Sequence, residues 1–346
     1  MNQSKKTSDV LSLFFILILL FGATPIAVGA ADAENRQFVY AGGFPFGVRF
    51  GTGEVTIVQI KPFLSGGVEV SPAASAGLAV GDKILSVNGK KVESAADALR
   101  LTEQIGDAPI LLRVQHDNAV RDVQLSPRRA DESGKYRIGI LLKDSAAGIG
   151  TVTYVCPDGL AFAGLGHGIC ENGGTTLVNI KNGYIAPVTI TGIQKGTAGM
   201  PGELRGAFSN EKSGRLLGNT EVGLFGIFLS PTGAEEKISV ATADEVKVGK
   251  ATILCTLDDG ERRPYDIEIA EINPNPNATI KNFVLRVTDK TLLEKTGGIV
   301  QGMSGSPILQ DGKLVGAVTH VMINDPTTGY GIFIGNMMRG GENYLA

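Results

Sequence analysis

The stretch Gly302-Met303-Ser304-Gly305-Ser306-Pro307 has the residue types of a nucleophile turn. Glycine accepts backbone angles that other residues resist, so Gly302 and Gly305 leave Ser304 free to project at a bend. The same bend can aim the amides of Gly302 and Ser304 at one point. That combination suits acyl transfer, in which a serine hydroxyl attacks a carbonyl and two amides hold the oxyanion that forms. A bare G-x-S-G is a weak signal, since most such matches are plain glycine turns. The rest of the chain has to supply a base and something to orient it.

Only three histidines exist. His116 falls at the end of a strand-like run and reads as a surface residue. His320 follows the apolar run 314–319 and reads first as a structural histidine, with a place as runner-up base. His167 lies in Gly164-Leu165-Gly166-His167-Gly168-Ile169-Cys170, where small neighbours leave its ring accessible. It is the leading base for Ser304. The third member should be a carboxylate. Asp289 ends the apolar run 282–287 shortly before the serine, but composition does not select it over Asp158, Asp258, Asp259 or Asp266.

These residues need a scaffold. A chain of 346 residues should hold about two domains. With 47 glycines, no tryptophan and many Val, Ile and Thr, short strands and frequent turns are expected. The net charge of -3 gives no basic footprint for nucleic acid. Cys156, Cys170 and Cys255 are too few and too irregular for a disulfide framework, although one pair could form. Nothing suggests a metal site, and the chemistry above needs no cofactor.

Lys5 and Lys6 precede an apolar run at 10–21 and a small-residue tract at 26–31. Residues 1–31 therefore read as a signal peptide or membrane anchor, with the remaining chain outside the cytoplasm. Residues 32–38 form a short polar tether, exposed enough to be cut.

Residues 39–126 are expected to form the first domain. It carries a strand at 55–60, the turn Ser71-Pro72-Ala73-Ala74-Ser75-Ala76-Gly77-Leu78, and Gly81-Asp82-Lys83-Ile84-Leu85-Ser86-Val87-Asn88-Gly89. A helix capped by Ser94 follows, with Ala98, Leu101 and Ile105 on one face, then strands at 110–115 and 120–125. This order resembles a PDZ domain. The resemblance implies that Phe44, Pro45, Phe46, Gly47 and Val48 form the loop whose amides receive a peptide carboxylate, the peptide adding as a strand beside it. Residues 127–135 read as a polar linker. From 136 to 346, strand-like runs alternate with glycine turns, among them 138–142, 150–155, 175–180, 185–193, 222–228, 251–257, 265–269 and 314–321. That pattern predicts a barrel or sandwich.

The Ser304 turn resembles the nucleophile turn of chymotrypsin-like peptidases. It departs at Met303, where those enzymes carry an aspartate that holds a freed N-terminus. Gly164 to Gly168, the run from Gly298 through Pro307, and Val315-Gly316-Ala317-Val318-Thr319-His320-Val321 together resemble the SpoIVB peptidase family of endospore-forming bacteria. The resemblance implies a mainly β fold, a PDZ domain followed by a chymotrypsin-like β-barrel serine peptidase. It places the family's His, Asp and Ser on His167, Asp289 and Ser304, with Gly302 and Ser304 as the oxyanion hole. It further implies an exported sporulation enzyme that works without a cofactor in the space between the two forespore membranes, anchored or released. Its substrate there would be a membrane-tethered regulator of an intramembrane metalloprotease, whose release activates a late mother-cell sigma factor. Self-cleavage near the tether is also expected. The alternative is a non-catalytic exported PDZ adaptor with a degenerate barrel.

Overall fold

The computed structural model describes residues 36–345 except 171–173, 179, 233–236, 274, 276 and 277. The signal or anchor expected at 1–31, and most of the tether, lie outside the described residues. No helix among the described residues is long and apolar enough to cross a membrane.

Two closed antiparallel barrels of six strands each dominate the fold. In the first, Pro45–Ile60 pairs with Ile140–Val155, which pairs with Ala161–Gly164. The ring continues through Gly223–Phe228, Gly214–Thr220 and Lys181–Gln194, and returns to Pro45–Ile60. Inward side chains fill it, including Phe46, Val48, Val152, Phe162, Ile185 and Leu224. In the second, Gly249–Thr256, Arg262–Ile272, Phe283–Val287, Asp325–Phe333, Lys313–Met322 and Pro307–Gln310 close in that order. Its core holds Ile253, Tyr265, Ile267, Leu285, Ile308 and Val318. Closure leaves neither barrel a free edge, which a glycine-rich chain of short strands would otherwise expose. One barrel was legible in the sequence; the structure has two. In the run expected as a strand at 175–180, the described residues show an isolated bridge between Cys170 and Leu177 and no longer ladder.

The PDZ core is a separate cluster built on Val55, Ile57, Ile84, Leu101, Ile110 and Leu112. Its helix Ala95–Ile105 begins as expected, with the Ser94 side chain accepting from the Asp97 amide at 3.0 Å. Ala98 and Leu101 are buried, and Ile105 packs against the same core.

Two expectations about this region need correction. Phe44, Pro45, Phe46, Gly47 and Val48 are not a carboxylate loop. Residues 45–48 lie in the first barrel, where Gly47 pairs with Ile149 on one side and Ala186 on the other. Phe44 packs against that barrel's core and its carbonyl accepts from the Val152 amide. The reason is burial: Phe46 and Val48 are apolar enough to be taken into the barrel core. Residues 127–135 are likewise no free linker. The Asp131 carboxylate accepts from the Gly66 and Gly67 amides at 2.8 and 2.9 Å, and Ala130 is buried. Ile138 joins the PDZ core, so that core reaches past the boundary expected at 136.

Candidate active site

The nucleophile turn sits between the helix Lys290–Thr296 and the strand Pro307–Gln310. Gly302 and Gly305 have φ of +98° and +95°, the left-handed region expected of them. A Cβ on Gly305 would lie 2.1 Å from the Thr151 carbonyl oxygen, so the close approach also demands glycine. Three hydrogen bonds from the first barrel grip the turn. The Thr151 amide donates to the Ser304 carbonyl at 3.0 Å, and Thr151 Oγ1 donates to the Gly302 carbonyl at 2.8 Å. Thr153 Oγ1 donates to the Gly305 carbonyl at 2.8 Å. The Gly302 and Ser304 amides donate to no other backbone group among the described residues. They are therefore open to an incoming oxyanion. Met303 points into the core and is fully buried.

Ser304 Oγ donates to the Thr319 carbonyl at 2.7 Å. The next residue, His320, meets the ring of His167 with centroids 4.5 Å apart. His167 arrives from the other barrel, just beyond Ala161–Gly164, after Leu165 and Gly166 turn the chain at φ of 68° and 67°. Leu165 is buried and its amide donates to the Thr151 carbonyl, which over-determines an unfavourable angle for a bulky residue. His167 Nδ1 lies 2.9 Å from the Gly168 carbonyl. A carbonyl can only accept, so Nδ1 carries the proton and Nε2 keeps the lone pair that a base needs.

Burial lowers the pKa of His167 below its ordinary value, with the Gly168 carbonyl pulling the other way. His320 is pushed down to about 4, first by burial and then by the positive charges of His167 and Lys281. Its Nδ1 is buried with no protein partner. Both imidazoles are thus held neutral near pH 7.

The structure brings Ser304, His167 and His320 to one place, but it does not bring Asp289 to His167. Asp289 is the N-cap of Lys290–Thr296. One carboxylate oxygen accepts from the Leu292 amide at 2.8 Å and the other from the Asp266 amide at 3.4 Å. Asp followed by a helical run is an ordinary cap signature. In this geometry the Gly168 carbonyl orients the imidazole. His116 serves the PDZ domain, where Nδ1 lies 2.8 Å from the buried carboxylate of Asp82, which Arg121 also meets.

The three cysteines are unpaired. Burial pushes the thiols of Cys255 and Cys156 up to about 12 and 11, far from nucleophilic thiolates. Among the described residues no acidic, His or Cys cluster could hold a metal. Thr151 and Thr153 were not legible as site residues. In Gly150-Thr151-Val152-Thr153-Tyr154 they read as the alternation of any strand, and only the closing of the first barrel against the second gives them a task.

Two solved structures of the Rv3671c protease from M. tuberculosis are similar at 15% identity. The active form has a TM-score of 0.35, covering 58% of this chain and 75% of that one. The inactive form has a TM-score of 0.34, covering 57% and 85%. Residues 64–116 match the PDZ domain family. Residues 134–338 match the SpoIVB peptidase S55 family, more than half of the chain. The chain belongs to the SpoIVB peptidase S55 family and is a serine peptidase.

Proposed function

We propose that this chain is an exported serine endopeptidase in which Ser304 is the nucleophile and His167 the base. Ser304 Oγ attacks the scissile carbonyl while His167 Nε2 takes its proton and later returns it to the leaving amine. The Gly302 and Ser304 amides hold the oxyanion. The observation that carries this reading is the meeting of elements from two barrels. The Ser304 turn of one is held by Thr151 and Thr153 of the other, with His167 delivered beside it. In the present arrangement the Ser304 hydroxyl rests on the Thr319 carbonyl. Turnover requires the hydroxyl to leave that carbonyl for the imidazole. Asp289, which the family resemblance assigns to the triad, would have to leave its helix cap to reach His167.

Family membership supports a role in sporulation signalling, with cleavage of a membrane-tethered regulator leading to activation of a late mother-cell sigma factor. Export to the space between the forespore membranes, and self-cleavage within residues 32–38, belong to the same proposal. A fluorophosphonate probe tests the chemistry. Labelling should map to Ser304 and vanish in Ser304→Ala and His167→Ala. A probe that labels Ser304→Ala as well as wild type would reject the assignment.

A further inference from the structure

The strands Pro45–Ile60 and Ile140–Val155 run together from the PDZ core into the first barrel, and their register slips at the passage. Lys143 pairs with Thr56 and Ser145 with Gly51, so residues 52–55 stand opposite Asp144 alone. Past the slip the ladder is regular. Ala147 faces Arg49 on one side, and Tyr184 of Lys181–Gln194 faces it on the other.

Phe46, Val48 and Phe50 point into the barrel core, so Arg49 and Gly51 point out of it. Cross-strand partners share a face, as do residues two apart on one strand. Ser145, Ala147 and Tyr184 therefore join them outside, next to the exposed Lys143. The small residues Gly51, Ser145 and Ala147 make a floor. Arg49, Lys143 and Tyr184 stand around it as walls, enclosing a cleft of about 450 Å³.

The charged residues of this lining are Arg49 and Lys143, with no acid among them. Neither forms a hydrogen bond or an ion pair among the described residues. Arg49 Nε is buried without a protein partner. A buried N–H left without an acceptor is costly, so the arrangement calls for one. The guanidinium lies over the Phe208 ring, 5.1 Å from its centroid, a contact that supports it but offers no oxygen. Lys212 Nζ sits 4.7 Å over the Tyr184 ring, and Arg215 pairs with Tyr184 across the next ladder, so the surroundings are cationic too. The nearby acids are engaged. The Asp144 carboxylate accepts from the Ala95 amide at 2.8 Å, and Glu54 meets Lys83 at 2.8 Å.

A carboxylate offers two coplanar oxygens, which one guanidinium fork satisfies. Here the donors stand on two strands, the fork of Arg49 on one and the Lys143 ammonium and Ser145 hydroxyl on the other. That spread suits a tetrahedral group with three free oxygens. We propose that this cleft binds a phosphate group, with Arg49 forking two of its oxygens and Lys143 and Ser145 holding the third. Lys143 pairs with the PDZ segment and Arg49 with the barrel segment, so the ligand bridges the slip between the two domains. The phosphate belongs to a soluble molecule or to a lipid headgroup. The site is independent of Ser304 and of the peptidase reading.

The test has two arms on the full chain. In the first, Ser304→Ala is titrated calorimetrically with inorganic phosphate at constant ionic strength, and with acetate as the planar control. Phosphate should bind at least about tenfold more tightly than acetate. Adding Arg49→Gln or Lys143→Gln should weaken phosphate by about tenfold or more. Lys143 is exposed, so Lys143→Gln decides the matter even if Arg49→Gln fails to fold. Arg49→Lys keeps the charge without the fork and should recover only part of the affinity. In the second arm, the same proteins are floated with phosphatidylcholine vesicles, with and without phosphatidic acid. Any pull of the apolar run at 10–21 is common to both vesicles, so the difference between them is the readout. A gain from phosphatidic acid that Lys143→Gln loses supports the site and identifies a lipid headgroup. Phosphate binding without that gain supports the site and identifies a soluble ligand. Acetate binding as tightly as phosphate would overturn the tetrahedral assignment. Phosphate binding unchanged in Lys143→Gln, or no binding in either arm, would overturn the site.

Discussion

The imidazoles of His167 and His320 meet in a tilted contact, centroids 4.5 Å apart and planes 34° apart. Two rings so close resist carrying charge together, and each is partly or largely buried. The acid limb of the kcat/KM profile should therefore lie below the value of about 6.5 for an ordinary histidine. His320→Gln removes one of the two charges and should move that limb. A limb at the ordinary value in wild type would mean that His167 is solvated in the working enzyme.

The same burial has a consequence for stability. The folded-state pKa of His320 is lowered to about 4, against an unfolded value near 6.5. Between these values the unfolded chain binds a proton that the folded chain does not. The contribution is thus fully present above about pH 6.5 and is lost as pH falls toward about 4. Chemical denaturation across this window should show a shallower loss in His320→Phe than in wild type.

Ser304 and Ser306 should separate cleanly. Ser304→Ala should abolish turnover and leave the melting temperature close to wild type. Ser306 is fully buried and its hydroxyl has no protein partner. An unsatisfied buried hydroxyl costs on the order of 1–3 kcal/mol, so Ser306→Ala should be neutral or stabilising and keep its activity. Activity lost in Ser306→Ala and retained in Ser304→Ala would reverse the two roles.

Gly47→Glu tests the corrected placement of that residue. A Cβ there would lie 2.4 Å from the Phe208 ring and 2.7 Å from Val188. The glutamate would also put a charge beside the barrel's apolar side chains. The variant should lose the peptidase fold, read as a fall in soluble yield and in thermal stability. A well-folded Gly47→Glu defective only in peptide capture would return the residue to a binding loop.

Much of the fold was legible because periodicity and turn chemistry are local. The cap at Ser94, the strands at 110–115 and 120–125 and the positive φ of Gly302 and Gly305 all follow from neighbours in the chain. The misplaced loop is made of residues whose partners are distant. Phe46-Gly47-Val48 satisfies a loop motif and a barrel strand equally well, and only closure with Ile149 and Ala186 decides between them. Strand Gly214–Thr220 escaped notice because Gly214, Gly218 and Asn219 look like turn residues. Asp289 matched a family position, yet its immediate task is set by the amide of Leu292 three residues on.

Thr151 offers a direct measure of how the barrels cooperate. Thr151→Val keeps the shape and β preference of the side chain but removes the bond to the Gly302 carbonyl. Leaving that buried carbonyl without its partner should cost about 1–3 kcal/mol. If the Gly302 amide holds the oxyanion as proposed, kcat should fall about ten- to hundredfold with KM little changed. A variant destabilised to this extent with wild-type kcat would show that the turn keeps its geometry without the first barrel.

Asp289 is best tested by what can replace it. As an N-cap it accepts from the Leu292 amide at 2.8 Å, and Asp289→Ala should cost about 1 kcal/mol of stability. Asp289→Ser supplies another cap oxygen and should recover most of that loss, visible as a restored melting temperature. Serine cannot stabilise an imidazolium by charge, so the variant separates capping from catalysis. If capping is the residue's whole task, the pH profile and kcat of Asp289→Ser should match wild type. A folded Asp289→Ser enzyme whose kcat drops by about four orders of magnitude would instead place the carboxylate on His167 during turnover. The helix Lys290–Thr296 would then have to surrender its cap when substrate binds.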